Sequence, residues 1–409
     1  MHQTLPLLRD GTYCPIPEPN CRESVKPIQR VIDSVKPHFK KGGKLEKFHP
    51  AFDALETFLF VPGHTTEQGV HIRDAMDLKR TMFLVIVALI PTLLFGMWNV
   101  GYQHYLAYGM QTTLMENFLF GFQKVMPIVI VSYAVGLGVE FIFAILRGHQ
   151  VSEGYLVTGM LIPLTLPVTI PLWMVALSAI FCTVLGKEIF GGTGMNFMNP
   201  ALLARAFLFF AFPAYMSGDI WTDLSPEPGH ALVDAYSGAT NLVAFDVDYT
   251  QMSSVSDMFW GFEQGSIGET SVFACLIGAL ILILSGVGSW KIIVSSCLGV
   301  VGMGLLMNVL APADIPTHAM HTPAYYHLLV GSFAFGAVYM ATDPVSAAHT
   351  ETGKWIYGIL IGVFTVILRI FNPAYPEAVM LSILLMNVFA PLIDHLVIEQ
   401  HIKKRIKRA

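Results

Sequence analysis

Long apolar stretches recur along the chain from about residue 82 to about residue 398, each about 20 residues long. A helix of that length crosses the ~30 Å hydrocarbon core of a bilayer. The composition agrees, because 54% of the residues are hydrophobic and only 13% are charged. The stretches lack the ten-residue alternation of a porin-type barrel. These features predict an all-α polytopic membrane protein rather than a soluble domain.

The basic residues are concentrated at the two ends of the chain. Of the 24 Lys and Arg, 12 lie in residues 1–80 and five lie in the last seven positions. Cytoplasmic flanks carry the positive excess in membrane proteins, so both termini are predicted to be inside, which requires an even number of crossings. We predict ten crossings, at 81–101, 122–146, 153–171, 172–190, 199–216, 268–288, 291–311, 325–342, 355–371 and 377–398.

The ten crossings divide the chain into five parts. These are a cytoplasmic N-terminal extension (1–80), a first five-helix repeat (81–216), an outside loop (217–267), a second five-helix repeat (268–398) and a basic cytoplasmic tail (399–409). Five crossings in each half give the halves opposite orientations, as in inverted-repeat transporters.

A weak internal similarity supports the two repeats. Residues 191–201 resemble residues 334–344, since both place small residues before Asn-Pro or Asp-Pro. Gly and Pro at such points break a helix, and the freed backbone groups can line a site near the membrane interior. Tight packing of small residues between helices is the alternative explanation.

Ionisable residues inside apolar segments are costly and usually functional or paired. Glu140 and Asp394 lie in the best positions to bind Na⁺ or H⁺, with structural pairing as the alternative for both. Four others lie near predicted helix ends, where snorkelling toward the interface explains them: Glu188, Arg205, Arg369 and Glu377. The five cysteines form no CxxC or Cys/His cluster, so neither a zinc site nor a four-Cys iron–sulfur site is indicated.

A possible covalent attachment site lies in the outside loop. Ser237-Gly238-Ala239-Thr240 follows Asp234 in a stretch, residues 206–290, that contains no Lys or Arg. Gly238 and Ala239 remove bulk beside the Thr240 hydroxyl, so a transferase and a flavin nucleotide could approach it. A helix beginning near Thr240 could help to hold the phosphate. An ordinary turn or helix cap is the alternative.

The run from Asp234 to Thr240 looks like the flavinylation motif Asp-x-x-Ser-Gly-Ala-Thr. The chain as a whole resembles the B subunits of bacterial Na⁺-translocating NADH:quinone oxidoreductases. The resemblance covers most of the chain, and its best markers are KLEK at 44–47, RDAMDLKR at 73–80, GKEIFGGTGMNF at 186–197 and DPVSA at 343–347.

The resemblance implies two flavins and a fold like that of urea transporters. Thr240 would carry FMN through a phosphoester, within the motif of Asp234, Ser237, Gly238 and Ala239. Riboflavin would bind without a covalent bond against the broken segment at Asn196 and Asn199.

The resemblance also implies substrates and partners. Ubiquinone would be reduced on the cytoplasmic side near Gly136 and Leu137, where Leu137 replaces an expected second glycine. Glu140, Asp343 and Asp394 match acidic positions linked to Na⁺ uptake. The implied partners are the other five subunits of the complex, a periplasmic flavin transferase and the lipid of the bacterial inner membrane, with no nucleic acid. NADH would bind elsewhere, because the chain has no dinucleotide fingerprint.

Two other functions stay open on the sequence. The D subunit of the related Rnf ferredoxin:NAD complex shares the motif, but it generally lacks an extension like 1–80. A flavin-free channel or transporter is suggested by Asn199-Pro200-Ala201, although the second half has Asp343-Pro344-Val345 where a pore would need the same motif again.

Overall fold

In a computed structural model, the described residues are 34–36, 38–39, 52, 78–147, 154–226, 236, 238–247, 252–312, 319–372 and 377–408. The chain divides into two compact units. One comprises Met1–Thr65 with Ala144–Val151, and in it the Phe39 and Phe52 rings stack with centroids 4.7 Å apart. The other comprises Thr66–Phe143 with Ser152–Ala409 and contains the site considered below.

The described residues of the larger unit are helical and contain no strand, in agreement with the all-α prediction. In chain order the helices are α1 (Leu78–Ala107), α2 (Leu114–Arg147), α3 (Gly154–Leu164), α4 (Leu172–Gly186), α5 (Pro200–Ala211), α6 (Asn241–Val247), α7 (Val255–Trp260), α8 (Val272–Leu284), α9 (Trp290–Leu310), α10 (Tyr326–Leu329), α11 (Phe333–Phe335), α12 (Glu351–Phe371) and α13 (Ala378–Ile406).

Six of these helices are long and apolar enough to cross a bilayer. They are α1, α2, α4 with the 3₁₀ turn Glu188–Phe190, α9, α12 and α13. Each coincides with one of the ten predicted crossings. The sequence therefore located these six elements correctly, and a multi-pass membrane protein follows from their length and composition.

Three predicted crossings are shorter helices than expected. α3, α5 and α8 have 11, 12 and 13 residues. At 1.5 Å per residue they reach only about 17–20 Å, less than the hydrocarbon core. The prediction of one continuous helix over 153–171 was wrong because Pro167 and Pro171 follow α3, and the chain between α3 and α4 is irregular.

The predicted crossing at 325–342 is also not one helix. It consists of α10, α11 and the π-helix Gly336–Met340. Gly331 and Ser332 interrupt it with positive φ values of 60° and 50°, which an α-helix does not accommodate. Ten crossings in two inverted, urea-transporter-like repeats therefore stay a prediction.

Small residues bring two long helices of the second half together. A Cβ atom at Gly362 in α12 would meet the backbone of Ser296 and Val300 in α9, and a Cβ at Gly299 would meet the Ile359 carbonyl. Without a hydrophobic driving force in lipid, such close backbone approach is a main source of helix association. This packing holds α9 against α12 in the second half.

Buried polar contacts join the two halves of the sequence. The Tyr339 hydroxyl donates to the Ala88 carbonyl at 2.9 Å, and the Gly268 amide donates to the Leu164 carbonyl at 2.8 Å. Arg205 in α5 is bound by both carboxylate oxygens of Glu377, with Nε–Oε2 and Nη2–Oε1 distances of 2.8 and 2.6 Å. These contacts fix the short helices of one half against the other.

Snorkelling was the wrong explanation for four ionisable residues near predicted helix ends, because Glu188, Arg205, Arg369 and Glu377 are all buried. Arg205 also lies 3.6 Å from the Glu269 carboxylate, so it is shared by two acids. Arg369 donates instead to the carbonyls of residues 327, 330 and 331 at 2.6–3.0 Å. A buried charge needs such partners, and sequence position alone did not reveal them.

Candidate functional site

The two broken segments with similar sequences meet in one pocket, which we call the central pocket. It is lined by Asn196 and Asn199 from the first half and by Tyr339 and Asp343 from the second, with α1, α3 and the end of α8 completing its walls. Lys187 also lines it. The sequence predicted that both breaks would line a site, and here they line the same one.

Asn199 has a structural role in the wall of this pocket. It is the N-cap of α5, its Oδ1 accepting the Ala201 amide at 2.9 Å, and Pro200 occupies the first helical position. Asn and Pro favour these two positions. The Asn196 amide donates to the Met198 carbonyl at 3.0 Å. No described residue accepts a hydrogen bond from the Asn199 side-chain amide, so that donor can bind a ligand.

The central pocket combines polar side chains in its wall with space for a small molecule. The atom-free space is about 720 Å³ with the open mouth included, within the ~300–1,000 Å³ of small-molecule sites.

Glu140, one of the predicted ion ligands, forms a buried ion pair. Its Oε1 contacts the Nζ of Lys187, the residue that follows α4. The Glu140 and Lys187 side chains are 3% and 4% exposed. Glu140 is therefore neutralised by an ammonium group whose residue also belongs to the wall of the central pocket.

Asp343 and Asp394 line two adjacent pockets that share Val345. Asp343 lies in the central pocket and accepts the Ser346 hydroxyl at 2.6 Å. Asp394 accepts the amides of His349 and Thr350 at 2.7 and 3.0 Å and the Thr350 hydroxyl at 2.5 Å. Asp394 thus has the structural partners that were considered as the alternative to ion binding. Glu140 lies on α2 and pairs with Lys187 instead.

The described part of the attachment motif lies at the start of a short helix. Thr240 is half-buried and directly precedes α6, and its carbonyl accepts the Val243 amide at 3.0 Å. A helix therefore begins directly after Thr240, a position that also fits the helix-cap alternative. Asp234 and Ser237 lie outside the described residues.

Gly238 has a packing role that the sequence did not indicate. It is buried, and a Cβ atom there would come within 2.7 Å of the Asp219 carbonyl oxygen. Gly238 thus lies directly on the turn at residues 219–222. Gly238 is needed for this close approach, in addition to the access for a transferase that we expected.

Helices α1 and α2 hold the segment that follows this turn. Lys124 in α2 binds the Asp223 carboxylate at 2.7 Å and the Ser225 hydroxyl at 3.2 Å. Asp223 also presents its carbonyl to His104 Nδ1 at 2.5 Å. Lys124 therefore has a specific acidic partner in the segment between α5 and α6.

A buried carboxyl group supports the residue after Thr240. The Asn241 amide contacts Glu263 Oε2, and Asn241 Oδ1 accepts the Ser253 amide at 3.0 Å. Glu263 is 8% exposed. Burial raises the pKa of the Glu263 carboxyl well above its usual range. The neutral acid and Asn241 fix the start of α6.

Gly136, predicted to lie in a quinone region, packs against an aromatic ring. A Cβ atom there would overlap the Tyr155 hydroxyl and ring, and the Tyr155 hydroxyl donates to the Ser132 carbonyl at 3.0 Å. Leu137, its neighbour, is half-buried. Gly136 thus allows α3 to pack closely against α2.

The sequence pattern of the family described as NQR2, RnfD, RnfE matches residues 65–403, most of the chain. The chain belongs to this family. Among curated relatives, the B subunit of the Na(+)-translocating NADH-quinone reductase of Stutzerimonas stutzeri (strain A1501) is 46% identical. The protein of the same name from Pseudomonas aeruginosa (strain UCBPP-PA14) is 44% identical. In both comparisons the match covers 93% of this chain and 99% of the relative.

Membership of the NQR2, RnfD, RnfE family confirms the resemblance read from the motifs. The structure adds residues that the motifs did not single out as a site: Lys187, Glu263 and the cluster of Arg205, Glu269 and Glu377. Lys187 and Glu263 are separated from their partners by 47 and 22 residues. A single sequence carries no signal that would pair them.

Proposed function

We propose that the chain is the electron-carrying membrane component, the B subunit, of a Na⁺-translocating NADH–quinone reductase. The observation that carries this proposal is the near-complete alignment with relatives of that name, at 44–46% identity. Such a protein works within a multi-subunit translocase, so the proposed partners are the other five subunits in the bacterial inner membrane, with both termini cytoplasmic.

Thr240 is the proposed attachment point for FMN. It is half-buried at the start of α6, in a segment fixed by Gly238 and Asn241. This anchoring supports a modified residue that must hold its cofactor in one place. A periplasmic flavin transferase would form the phosphoester, in which the Thr240 oxygen replaces the nucleotide leaving group on phosphorus.

The central pocket is the proposed riboflavin site, and FMN and riboflavin together would supply the redox chemistry when bound. Asn196, Asn199 and Lys187 offer hydrogen-bond donors to a ring with several acceptors. Ubiquinone is the proposed electron acceptor near Gly136 and Leu137. Glu140, Asp343 and Asp394 are the proposed acidic groups on the Na⁺ path.

The alternatives are weaker. A D subunit of an Rnf-type complex falls within the same family description, but the near-complete alignment with quinone reductase relatives includes most of the long extension. A flavin-free channel would leave the attachment motif without a purpose. Identifying the electron donor and acceptor of the assembled complex would separate the first alternative from the proposal.

Mass spectrometry of the peptide containing Thr240 tests the proposal. We expect an added FMN in the wild type, none in Thr240→Val, which replaces the hydroxyl with a methyl group, and FMN again in Thr240→Ser. The complex should assemble in all three, because the contact of Thr240 to α6 is made by its backbone carbonyl. An unmodified wild-type peptide from the native complex, or FMN retained in Thr240→Val, would refute the assignment.

A further inference from the structure

Lys187 is a buried cation with two environments. Its ammonium group contacts the Glu140 carboxylate, while the residue also lines the central pocket beside Asn196 and Asn199. A charged pair inside a membrane protein is costly and is usually kept for a function. The flexible four-carbon stem of lysine allows the ammonium to move between neighbouring partners.

The backbone at Lys187 belongs to the broken segment rather than to a regular helix. Lys187 has φ −132° and ψ −60°, and it is followed by a 3₁₀ turn and by Gly191 and Gly192 with positive φ. Asn196 and Asn199 lie further along the same break. A ligand that contacts this segment therefore acts directly on the residue that neutralises Glu140.

Whether Glu140 can bind Na⁺ depends on the position of the Lys187 ammonium group. A Na⁺ ion bound by the Glu140 carboxylate would lie beside the Lys187 ammonium, and two positive charges in contact with the same carboxylate repel each other. Glu140 can thus take Na⁺ readily only when the ammonium withdraws. A negative group in the central pocket is the partner that would draw it away.

We propose that Lys187 is an internal counter-cation that competes with Na⁺ for Glu140 and leaves that carboxylate when the central pocket gains negative charge. This inference rests on the proposed function, in which Na⁺ is the transported ion and the central pocket holds a redox group. The inference adds Lys187 as a positioning residue that links Na⁺ binding at Glu140 to the charge of the central pocket. Coupling of this kind is reciprocal, so each of the two sites affects the other.

The test is ²²Na⁺ binding to the purified complex without turnover, first oxidised and then reduced. Lys187→Gln should raise the Na⁺ affinity of the oxidised complex at least about tenfold, since one unit charge at contact outweighs that factor even at an effective dielectric constant of about 20. In the wild type, reduction should raise the affinity, and in Lys187→Gln it should change little.

Three further variants make the result specific. Lys291→Gln is the matched control, because Lys291 also pairs with a glutamate, Glu351, but does not line the central pocket. It should bind Na⁺ like the wild type. Lys187→Arg keeps the charge and should not show the gain. Glu140→Gln with Lys187→Gln keeps a neutral polar pair and should show no gain, because the carboxylate is gone.

The outcomes separate the inference from the proposed function. Unchanged or weaker Na⁺ binding in Lys187→Gln, while Glu140→Gln weakens it, would overturn the role of Lys187 and leave Glu140 on the Na⁺ path. Unchanged binding in Glu140→Gln would overturn both. If Lys187→Gln failed to assemble, the double variant Glu140→Gln with Lys187→Gln would be compared with Glu140→Gln alone. A higher Na⁺ affinity in the double variant would overturn the competition between Lys187 and Na⁺ at Glu140.

Discussion

Gly136 offers a sharp test of whether its position serves packing or ligand binding. A Cβ atom at Gly136 would overlap the ring and hydroxyl of Tyr155, a side chain that is 1% exposed. The ring is held in place, because the Tyr155 hydroxyl is bonded to the Ser132 carbonyl of α2. We therefore expect Gly136→Ala to push α3 away from α2.

The expected cost follows from overpacking a buried contact, about 1–3 kcal/mol. A better helix former at this position would return at most about 1 kcal/mol of it. Gly138, two residues later in the same helix, provides the control, because a Cβ atom there would meet nothing within 4 Å. Gly138→Ala should be neutral or slightly stabilising.

Thermal inactivation of the complex in detergent measures the difference, and a double-mutant cycle assigns it. In a Tyr155→Leu background the ring is gone, so Gly136→Ala should cost much less than it does alone. Equal stability of Gly136→Ala and Gly138→Ala would refute the packing argument. So would an unchanged cost in the Tyr155→Leu background.

Two other predictions concern buried charges. Burial raises the pKa of Glu263 in the folded state, so the folded protein binds a proton that the unfolded chain has released and loses stability as pH rises from about 4.3, the unfolded pKa, to the folded pKa. Glu263→Gln should abolish this loss in melting curves taken across that pH range, and an unchanged pH profile in the variant would contradict the assignment to Glu263. Arg205→Met should cost about 3–5 kcal/mol, because the buried Glu377 and the partly buried Glu269 would lose their shared cation. Adding Glu377→Gln and Glu269→Gln should recover most of this cost in the same thermal assay, and no recovery would show that the arginine acts through packing alone.

Hydropathy predicted where the apolar segments lie, but it did not distinguish the long helices from the short ones. α3 and α8 are as apolar as their long neighbours. What shortens α3 is local chemistry, namely Pro167 and Pro171, and what begins α8 is a Ser271 cap that accepts the Ala274 amide at 3.2 Å. A sliding average over about 20 residues conceals both signals.

The sequence placed several pocket residues in recognisable segments but gave no sign of their partners. Asn196, Asn199 and Asp343 lie in the two similar segments, and these three residues line one pocket. Lys187 lay within a recognised motif, yet nothing in the sequence connected it with Glu140. Such pairs depend on how helices pack, and packing is not encoded in local spacing.

Asp343 and Asp394 hold opposite ends of one short segment. Asp343 accepts the Ser346 hydroxyl, and Asp394 accepts the amides of His349 and Thr350 before α12 begins. Na⁺ bound by Asp394 would compete with these hydrogen bonds, because its carboxylate has about four lone-pair sites and three of them already accept hydrogen bonds. Release of either end would alter a segment whose first residues line the central pocket. If Asp394 lies on the Na⁺ path, the passing ion would therefore loosen the segment from Asp343 to Thr350, which physically links Asp394 with the central pocket.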